Sequence, residues 1–342
     1  MKALFYTEPY HFEFTDVPEP QVGDDEVLVR VKACGICGSD VQGFTGKTGR
    51  RIPPLIMGHE AAGIVEDFGK NVKDFEKGDR VCFDSTVYCN QCEPCRAGKY
   101  NRCKKRQVLG VSVPEFKRHG AFAEYVAVPS WIVSKIPDTM SFVQAALLEP
   151  VSIGMHAVNR APISAGDTVV VIGAGTIGLF VLQGCKLKAA KAVVCDINEF
   201  RLDIACKLGA DVVVNPAKSN LKERVFKATD GRGADVAFEV VGFAQTFTDA
   251  ISVLKTGGYL VAVGNLQKTA EFNLQELVAR ELTFTGSYAS SGEFRDGIDL
   301  VASGKINVQP IISGVLPLRE GPIAFDRLLK AEENLLKIVL EP

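Results

Sequence analysis

The residue types that most often bind metal ions are concentrated in one short segment of this sequence. Cys89, Cys92, Cys95 and Cys103 lie within fifteen residues. Four thiolates at this spacing can close a tetrahedral zinc site, and such a site is structural, because sulfur fills every position and substrate cannot reach the metal. An iron–sulfur cluster and a set of unrelated thiols or redox pairs are the alternatives. The spacing favours a structural zinc.

A second set of candidate ligands is spread over the first part of the chain. Cys37 lies in the segment GICGSD, His59 and Glu60 are adjacent in GHE, and Glu149 precedes a proline. Taken singly, each residue is a weak signal. Together they supply the mix of Cys, His and carboxylate expected of an open zinc site, which keeps one position for substrate. Ser39, two residues after Cys37, has a hydroxyl that can accept and donate a proton.

A glycine-rich motif, GAGTIG, directly follows the apolar run VVVI and opens a helical stretch. This context is the one in which such a motif binds a dinucleotide. Its first glycine permits a tight turn, its second lets the backbone approach a pyrophosphate, and its third lets the helix pack on the strand. The cofactor-binding candidates in the motif are Gly173, Gly175, Thr176, Ile177 and Gly178.

Asp196 lies eighteen residues after Gly178, at the end of the next apolar run. An acid at this place accepts hydrogen bonds from the hydroxyls of the adenosine ribose and repels a 2′-phosphate. Arg201 lies nearby, and an Arg there can accommodate a phosphate. The acid predicts NAD rather than NADP. The alternative for the whole motif is a strand–helix turn that binds nothing.

The composition limits the classes of protein to which the chain can belong. It has 342 residues, a formal net charge of −2, 46% hydrophobic and 23% charged residues. These values are ordinary for globular proteins and allow about two domains. Basic residues follow the cysteine cluster, as in a zinc-ribbon nucleic-acid module: Arg102, Lys104, Lys105 and Arg106. Because a nucleic-acid binder usually has a strong basic excess, we expect no nucleic-acid partner.

Membrane and secretion signals are not evident in the sequence. The N-terminal residues include neither a long apolar run nor a cleavage signal. No run approaches ~20 apolar residues, so we expect no membrane partner. Clustered cysteines in such a chain favour metal over disulfides and predict a reducing, cytoplasmic setting. The five other cysteines are expected to be small buried apolar residues: Cys34, Cys82, Cys185, Cys195 and Cys206.

The apolar runs place these candidates on two kinds of domain, and the predicted fold class is α/β. Residues 1–150 have short β-rich runs broken by Gly, Pro and Asp, which predicts a mainly antiparallel β domain. Residues 151–288 have six nearly continuous apolar runs that alternate with helical stretches, which predicts a doubly wound parallel sheet of the Rossmann type. We expect residues 289–342 to pack back on the first domain and complete it.

The chain resembles the zinc-dependent medium-chain dehydrogenase/reductase family, most of all its polyol branch of sorbitol and galactitol-phosphate dehydrogenases. The segments that carry the resemblance follow the family order: GICGSD (35–40), MGHEAAG (57–63), the four-cysteine loop (89–103), GAFAEY (120–125), LLEPVSIGMHA (147–157) and IGAGTIG (172–178). The resemblance implies a GroES-like catalytic domain and a Rossmann NAD-binding domain. It also implies two zinc ions per chain, one catalytic and one structural, and a homodimer or homotetramer.

By this resemblance, Cys37 and His59 are ligands of the catalytic zinc. Glu149 binds that zinc directly or through a water molecule, and Glu60 is a second carboxylate able to reach it. Ser39 relays the substrate proton. The implied activity is hydride transfer from a secondary hydroxyl of a polyol, sugar alcohol or polyol phosphate to NAD⁺, with reversible reduction of the ketone. Zinc would act as a Lewis acid that lowers the pKa of the hydroxyl.

Two departures from the family bear on the substrate. Gln42 stands where many relatives have a His that takes the proton onward, and Ala289 stands where sorbitol dehydrogenases have an Arg. A basic loop follows Ser39 and is either solvated surface or a contact for an anionic substrate group: Lys47, Arg50 and Arg51. A threonine or 2,3-butanediol dehydrogenase is the alternative within the family. A non-catalytic NAD-binding homologue is the alternative outside it.

Overall fold

The structure is a computed structural model that describes residues 1–331 and 334–342. Twenty β-strands and eleven α-helices lie within these residues. The strands are β1 (Lys2–Glu8), β2 (His11–Asp16), β3 (Glu26–Gly35), β4 (Leu55–Ile56), β5 (Glu60–Phe68), β6 (Arg80–Phe83), β7 (Thr86–Val87), β8 (Gln107–Val108), β9 (Val111–Val113), β10 (Phe116–Arg118), β11 (Tyr125–Pro129), β12 (Val133–Lys135), β13 (Thr168–Ile172), β14 (Lys191–Cys195), β15 (Val212–Val214), β16 (Ala234–Glu239), β17 (Leu254–Ala262), β18 (Thr283–Gly286), β19 (Ile312–Pro317) and β20 (Lys337–Glu341). The helices are α1 (Gly38–Phe44), α2 (Glu93–Arg96), α3 (Phe142–Ala146), α4 (Leu148–Asn159), α5 (Thr176–Leu187), α6 (Glu199–Lys207), α7 (Leu221–Ala228), α8 (Ala244–Ser252), α9 (Leu274–Ala279), α10 (Glu293–Ala302) and α11 (Gly321–Lys330).

The chain forms two compact units. The first, the β unit, comprises Met1–Glu149, Phe294–Gly304 and Val308–Pro342. The second, the α/β unit, comprises Pro150–Glu293 and Lys305–Asn307. The domain boundaries expected from the sequence, after residues 150 and 288, stay a prediction.

Alternating side chains build the main sheet of the β unit. In β3 the residues from Val27 to Ala33 are buried at every second position, the pattern of a strand with one face in the core. The sheet runs in the order β12-β6-β5-β3-β20-β19, and β11 also pairs with β3. β11 pairs with the first half of β3, whereas β20 pairs with Cys34 and Gly35 at its far end. The strand β20 therefore borders the residues that lead to Cys37.

Aromatic side chains in the core of the β unit anchor the helix that follows β3. Phe44, the last residue of α1, stacks on Phe12 with ring centroids 4.7 Å apart and lies 5.3 Å from Phe325. Burial of such a side chain stabilises the fold by roughly 1.5–3 kcal/mol, so these contacts fix the end of α1. Because α1 has only seven residues, the same contacts also fix its start, where Cys37 and Asp40 lie.

The apolar runs of the α/β unit form one parallel sheet. All five residues of β13, TVVVI, are buried, as expected of a strand that is covered on both faces. The strand order is β15-β14-β13-β16-β17-β18, and every pair is parallel. In such sheets ligands bind outside the carboxyl ends of the strands, where the order reverses. The predicted α/β class and the doubly wound Rossmann sheet are confirmed by this order.

The expected burial of the five other cysteines is wrong in one case. Cys206 is exposed, whereas the other four are buried. It lies on α6, whose buried residues are Leu202, Ile204 and Ala205. Cys206 is therefore on the outer side of a helix rather than in a strand. Among the described residues, no helix has both the length and the apolar character needed to cross a membrane.

Candidate functional site

Cys37 lies where the main sheet of the β unit gives way to a helix. β3 ends at Gly35, and Cys37 is the N-cap residue of α1 with φ −83° and ψ 149°. The Cys37 backbone N–H donates to the carboxylate of Asp40 over 3.3 Å, which caps the first turn. The Cys37 side chain is half-buried. The start of the helix thus holds one candidate ligand in a fixed backbone position.

His59 reaches the same place from the neighbouring strand. It immediately precedes β5, which pairs with β3. Gly58 has a φ of +92°, and a Cβ there would come within 2.7 Å of the Phe122 ring, so only glycine suits this approach. The ligand atoms of Cys37, His59 and Glu60 all lie within 4.8 Å of one another and could hold a metal ion.

Asp40 is a buried carboxylate beside His59. Asp40 is fully buried, and its Oδ1 lies 3.4 Å from His59 Nδ1 and 2.9 Å from Arg51 Nη2. Burial would raise the pKa of Asp40, but His59 and Arg51 outweigh burial and hold that pKa well below its usual range. Asp40 is therefore a carboxylate. Because Asp40 lies beside Nδ1, Nε2 is the nitrogen of His59 that would be available to a metal.

Glu60 has a counter-ion of its own. Lys337 Nζ donates to Glu60 Oε1 and Oε2 over 2.8 and 2.7 Å and to Ile36 O over 2.9 Å, and both charged residues are buried. Burial would lower the pKa of Lys337, but Glu60 and Cys37 outweigh burial and raise it. Both oxygens of Glu60 are thus engaged by an ammonium group, which disfavours Glu60 as the resting ligand of a metal.

Glu149, in the first turn of α4, is a third buried carboxylate. Its Oε1 accepts a hydrogen bond from Ser85 Oγ over 2.6 Å. Burial, opposed by His59 and reinforced by Glu60, raises the pKa of Glu149 to about 7. Glu149 is close enough to His59 and Glu60 for their charges to interact, but it lies outside the group of ligand atoms within 4.8 Å.

The electrostatics of this group fit a bound cation. The two buried Lys and Arg side chains among the described residues pair with Asp40 and Glu60. Cys37, His59 and Glu149 are the other candidate ligands of this group. Burial lowers the pKa of His59, but Asp40 and Cys37 outweigh burial and raise it well above its usual range. A positive charge at the His59 ring is therefore favoured. A thiolate, an imidazole and a carboxylate are ligands that suit zinc, which would take the place of the protons.

Ser39 and the basic loop lie next to this donor set in the chain. Ser39 is exposed, and its Oγ accepts a hydrogen bond from Arg51 Nη2 over 3.3 Å. Gln42 is exposed as well. Arg51 is only 6% exposed, whereas Lys47 and Arg50 are exposed. If the basic loop contacts an anionic group of the substrate, Lys47 and Arg50 are therefore its two exposed basic side chains.

The four clustered cysteines converge on one point. The Sγ–Sγ distances are 3.4 Å for Cys92–Cys95, 3.9 Å for Cys92–Cys103 and 4.0 Å for Cys89–Cys95, and all four sulfurs lie within 4.8 Å of one another. Four sulfurs bound at about 2.3 Å to a tetrahedral zinc would be about 3.8 Å apart. The separations fit that geometry and are far too long for disulfide bonds.

Backbone N–H groups donate hydrogen bonds to sulfurs of the cluster. Cys103 Sγ accepts hydrogen bonds from the N–H groups of Cys89 and Lys105 over 3.3 and 3.4 Å. The N–H groups of Cys95 and Lys104 lower the pKa of Cys92 to about 6. Because zinc binds the thiolate form, these amides favour binding. The short strands β7 and β8 pair antiparallel and close the loop at its base.

The glycine-rich motif joins β13 to α5 in the α/β unit. α5 begins at Thr176, with Gly175 as its N-cap residue, and Ile177 is half-buried in its first turn. A Cβ on Gly178 would lie 1.8 Å from Gly173 O, so only glycine lets the helix come this close. A Cβ on Gly175 would meet nothing within 4 Å, which leaves an open cradle. The first N–H groups of a helix lack intrahelical acceptors and suit a pyrophosphate there.

Asp196 follows β14, the strand next to β13. Its Oδ2 accepts a hydrogen bond from the Ala174 N–H over 2.7 Å, and its Oδ1 accepts one from the Asn198 N–H over 2.9 Å. The carboxylate is thereby tied to the glycine-rich motif. Arg201 Nη1 lies 3.8 Å from Asp196 Oδ2. Asp196, which is predicted to bind the ribose hydroxyls, therefore lies beside Arg201, the residue that could accommodate a phosphate.

Three supporting residues are not singled out by the sequence analysis: Asp40, Ser85 and Lys337. Asp40 is three residues after Cys37, at a helix position where an acid often forms a cap. Lys337 is a lone charge in the apolar run LKIVL, which is a signal of a buried ion pair. Ser85 gives no signal, because its contact with Glu149 joins residues 64 positions apart.

Comparisons with known proteins match both units of the chain. The family model described as alcohol dehydrogenase GroES-like domain matches residues 23–138, and the one described as zinc-binding dehydrogenase matches residues 176–303. The chain is similar to the sorbitol dehydrogenase of Bacillus subtilis (strain 168), with 32% identity over 347 residues. That match covers 100% of this chain and 97% of the relative.

Solved structures have the same fold. The galactitol-1-phosphate dehydrogenase from Escherichia coli superposes with a TM-score of 0.92 at 26% identity, covering 100% of both chains. A structure from Sinorhizobium meliloti 1021, described as a zinc-binding dehydrogenase and bound to NADP, superposes with a TM-score of 0.91 at 32% identity. It covers 100% of this chain and 99% of that one. The predicted GroES-like and Rossmann folds are confirmed by these matches.

Replacing Cys95 by Ser should remove the structural zinc. Cys95 is buried, and its Sγ lies 3.4 Å and 4.0 Å from two other sulfurs of the cluster. We expect the zinc content, measured by elemental mass spectrometry, to fall by about one ion per chain. Cys206→Ser is the matched control and should leave the zinc content unchanged, because Cys206 is exposed outside the cluster. An unchanged zinc content in Cys95→Ser would contradict the site.

Replacing Lys337 by Met should destabilise the β unit by about 3–5 kcal/mol, because Glu60 would keep a buried charge without its partner. Adding Glu60→Gln should recover most of the loss. Trp131, the single tryptophan, lies in the β unit and reports its unfolding in denaturant. Lys77→Met, which removes a surface ion pair with Asp67, should leave the midpoint nearly unchanged. A Lys337→Met variant as stable as wild type would refute the role of this pair.

Proposed function

The chain belongs to the family of zinc-binding alcohol dehydrogenases, and we propose that it transfers hydride from a secondary hydroxyl of a polyol, sugar alcohol or polyol phosphate to NAD⁺. The ketone is reduced in the reverse direction. The observation that carries this proposal is the convergence of Cys37, His59 and Glu60, with Glu149 close enough for its charge to interact with His59 and the exposed Ser39 two positions after Cys37. The similarity to a sorbitol dehydrogenase and a galactitol-1-phosphate dehydrogenase supports the polyol class.

Cys37, His59 and Glu149 are the proposed ligands of the catalytic zinc. When bound, zinc polarises the substrate hydroxyl and lowers its pKa. A set with only one thiolate leaves the metal more positive than a set with two, which suits this task. Glu60 is the second carboxylate of the site. It stays paired with Lys337 at rest and is able to replace Glu149 or a water molecule as a ligand.

Ser39 is the proposed proton relay. Its hydroxyl accepts the proton of the substrate hydroxyl while it gives its own proton to a water molecule or to a hydroxyl of the cofactor. Gln42 cannot take up a proton at neutral pH, so the relay does not continue through that side chain. The exposure of Ser39 supports this route, because a water molecule can reach its Oγ.

The α/β unit is the proposed NAD site. NAD⁺, when bound, accepts the hydride on its nicotinamide ring. The backbone of the glycine-rich motif would hold the pyrophosphate, with these residues in contact: Gly173, Gly175, Thr176, Ile177 and Gly178. Asp196 would accept hydrogen bonds from the ribose hydroxyls, and Arg201 would flank it. The open space at Gly175 and the fixed carboxylate of Asp196 support this assignment.

We also propose a structural zinc, a cellular compartment, an oligomeric state and a class of partner for the protein. The four clustered cysteines hold the second, structural zinc, and thiolate ligands need a reducing compartment, which supports a cytoplasmic location. A homodimer or homotetramer is proposed by analogy with the family alone. We expect the substrate to be a small molecule, with neither nucleic acid nor membrane as a partner.

Activity should appear in a panel of polyols, sugars, polyol phosphates, threonine and 2,3-butanediol assayed with NAD⁺. The absorbance of the reduced cofactor measures the rate. We expect a polyol or a polyol phosphate to have the highest kcat/KM in the panel. A preference for threonine or 2,3-butanediol would contradict the polyol class.

The active substrate of that panel also tests the metal site. In Cys37→Ser, kcat/KM should fall at least about a thousandfold, since a Lewis-acid metal stabilises the transition state by several kcal/mol. Cys206→Ser is the control and should have the wild-type rate, because Cys206 lies exposed on α6. Wild-type activity in Cys37→Ser would refute the assignment of this ligand.

Replacing Asp196 by Ala should move cofactor preference toward NADP. The change removes a carboxylate that repels a 2′-phosphate, and about 1.4 kcal/mol of lost repulsion corresponds to a tenfold change. We expect the ratio of kcat/KM for NADP⁺ to that for NAD⁺ to rise by about tenfold or more. Asp203→Ala is the matched control, because this carboxylate is exposed on α6. An unchanged ratio in Asp196→Ala would show that Asp196 does not discriminate between the cofactors.

A further inference from the structure

Arg51 carries a positive charge into the interior of the β unit. It is 6% exposed, and no other arginine among the described residues is buried. Its Nε and Nη2 donate to Asp40 Oδ1 over 3.3 and 2.9 Å, and its Nη1 donates to Arg50 O over 3.2 Å. Its Nη2 also donates to Ser39 Oγ over 3.3 Å. One guanidinium group thus joins the exposed hydroxyl of Ser39 to the carboxylate that supports His59.

The fold provides a dedicated place for this side chain. The Ile52 N–H donates to Ser112 O over 3.1 Å, and the Ser112 N–H donates to Arg50 O over 3.3 Å. These bonds attach the chain on both sides of Arg51 to β9. On α1, a Cβ on Gly43 would come within 2.2 Å of Arg51 Cγ. The stem of Arg51 therefore occupies space that exists only because a glycine is present in the helix.

The chemistry of a guanidinium limits what Arg51 can do to Ser39. It stays protonated in proteins and only donates hydrogen bonds, so it cannot be a second station for the proton. Its bond to Ser39 Oγ occupies one of the two lone pairs of that oxygen. One lone pair and one O–H remain, and the O–H cannot be directed at Arg51. Without this bond, a serine side chain has three staggered rotamers available.

We propose that Arg51 is the positioning residue of the proton relay. It selects one rotamer of Ser39, so that the remaining lone pair faces the substrate and the O–H faces water. As the substrate O–H bond breaks, its proton bonds to Ser39 Oγ, and the proton that Ser39 carried passes to a water molecule. The substrate C–H bond breaks with its electron pair, which reduces NAD⁺. This inference rests on the proposed function of Ser39.

Arg51→Lys separates the two contacts of the guanidinium. An ammonium group can keep the charge pair with Asp40, but it lacks the planar fork that reaches Ser39 at the same time. With the best substrate of the panel, we expect kcat to fall about tenfold and KM to change less than about twofold, because positioned proton transfer contributes about 10²–10⁴ in rate. The solvent deuterium isotope effect on kcat should increase. Zinc content and NADH binding should match wild type.

The same change in a Ser39→Ala background is the decisive comparison. If Arg51 acts through Ser39, Arg51→Lys should have no further effect on kcat once the hydroxyl is absent. A tenfold loss that persists in Ser39→Ala would overturn the proposal, and so would a wild-type kcat in Arg51→Lys alone. A wild-type kcat in Ser39→Ala would instead refute the relay assigned under the proposed function.

Two further variants leave Arg51 itself unchanged. One displaces its side chain, and the other removes the neighbouring positive charge of Arg50. Gly43→Ala places a methyl group against the stem of Arg51, and we expect it to lower kcat as Arg51→Lys does, again only when Ser39 is present. A wild-type kcat in Gly43→Ala would count against the proposal. Arg50→Met removes the exposed neighbouring charge and should leave kcat for a neutral polyol unchanged. If Arg50→Met reproduced the loss, the effect would belong to the charge of the loop and the proposal would fail.

Discussion

A carboxylate that leaves water needs an opposite charge or hydrogen-bond donors in place of its lost hydration. Asp40, Glu60 and Glu149 are all buried in the β unit, and the arrangement around Cys37 and His59 follows from how each of them is balanced. Asp40 and Glu60 each have a buried cation as partner. Glu149 has a neutral hydroxyl donor and a pKa raised to about 7. The third carboxylate, Glu149, therefore differs from the other two in lying within reach of the His59 charge rather than in a pair with Lys or Arg.

The cysteine loop balances its charge by other means. No buried Lys or Arg among the described residues pairs with its sulfurs, since Arg51 and Lys337 pair with Asp40 and Glu60. Backbone N–H groups donate to the sulfurs instead, as at Cys103. The donors at the cysteine loop are thus backbone amides, whereas two of the buried carboxylates near Cys37 and His59 are paired with side-chain cations.

The sequence predicts what is local, and it misses what is brought together over long distances. The parallel strands and the four-cysteine cluster could be predicted, because each apolar run and the cysteine spacing are patterns within a short segment. The partner of Glu60 could not, because Lys337 lies 277 positions away. Arg51 looks like a surface charge in the sequence, since basic loops are usually solvated. The space beside Gly43 that accommodates the Arg51 side chain is visible only once α1 is packed in the fold. Cys206 was misjudged because an apolar run does not reveal which side of a helix faces water.

The Lys337–Glu60 ion pair can form only late in the synthesis of the chain, because Lys337 lies on the last strand, β20. Lys337 follows Glu60 by 277 positions, and at about 5–20 residues per second the ribosome needs roughly 14–55 s to cover that distance. All residues of the α/β unit are made within this interval. Until β20 is made, Glu60 lacks its ammonium partner, so this pair is among the last contacts of the β unit that the growing chain can complete.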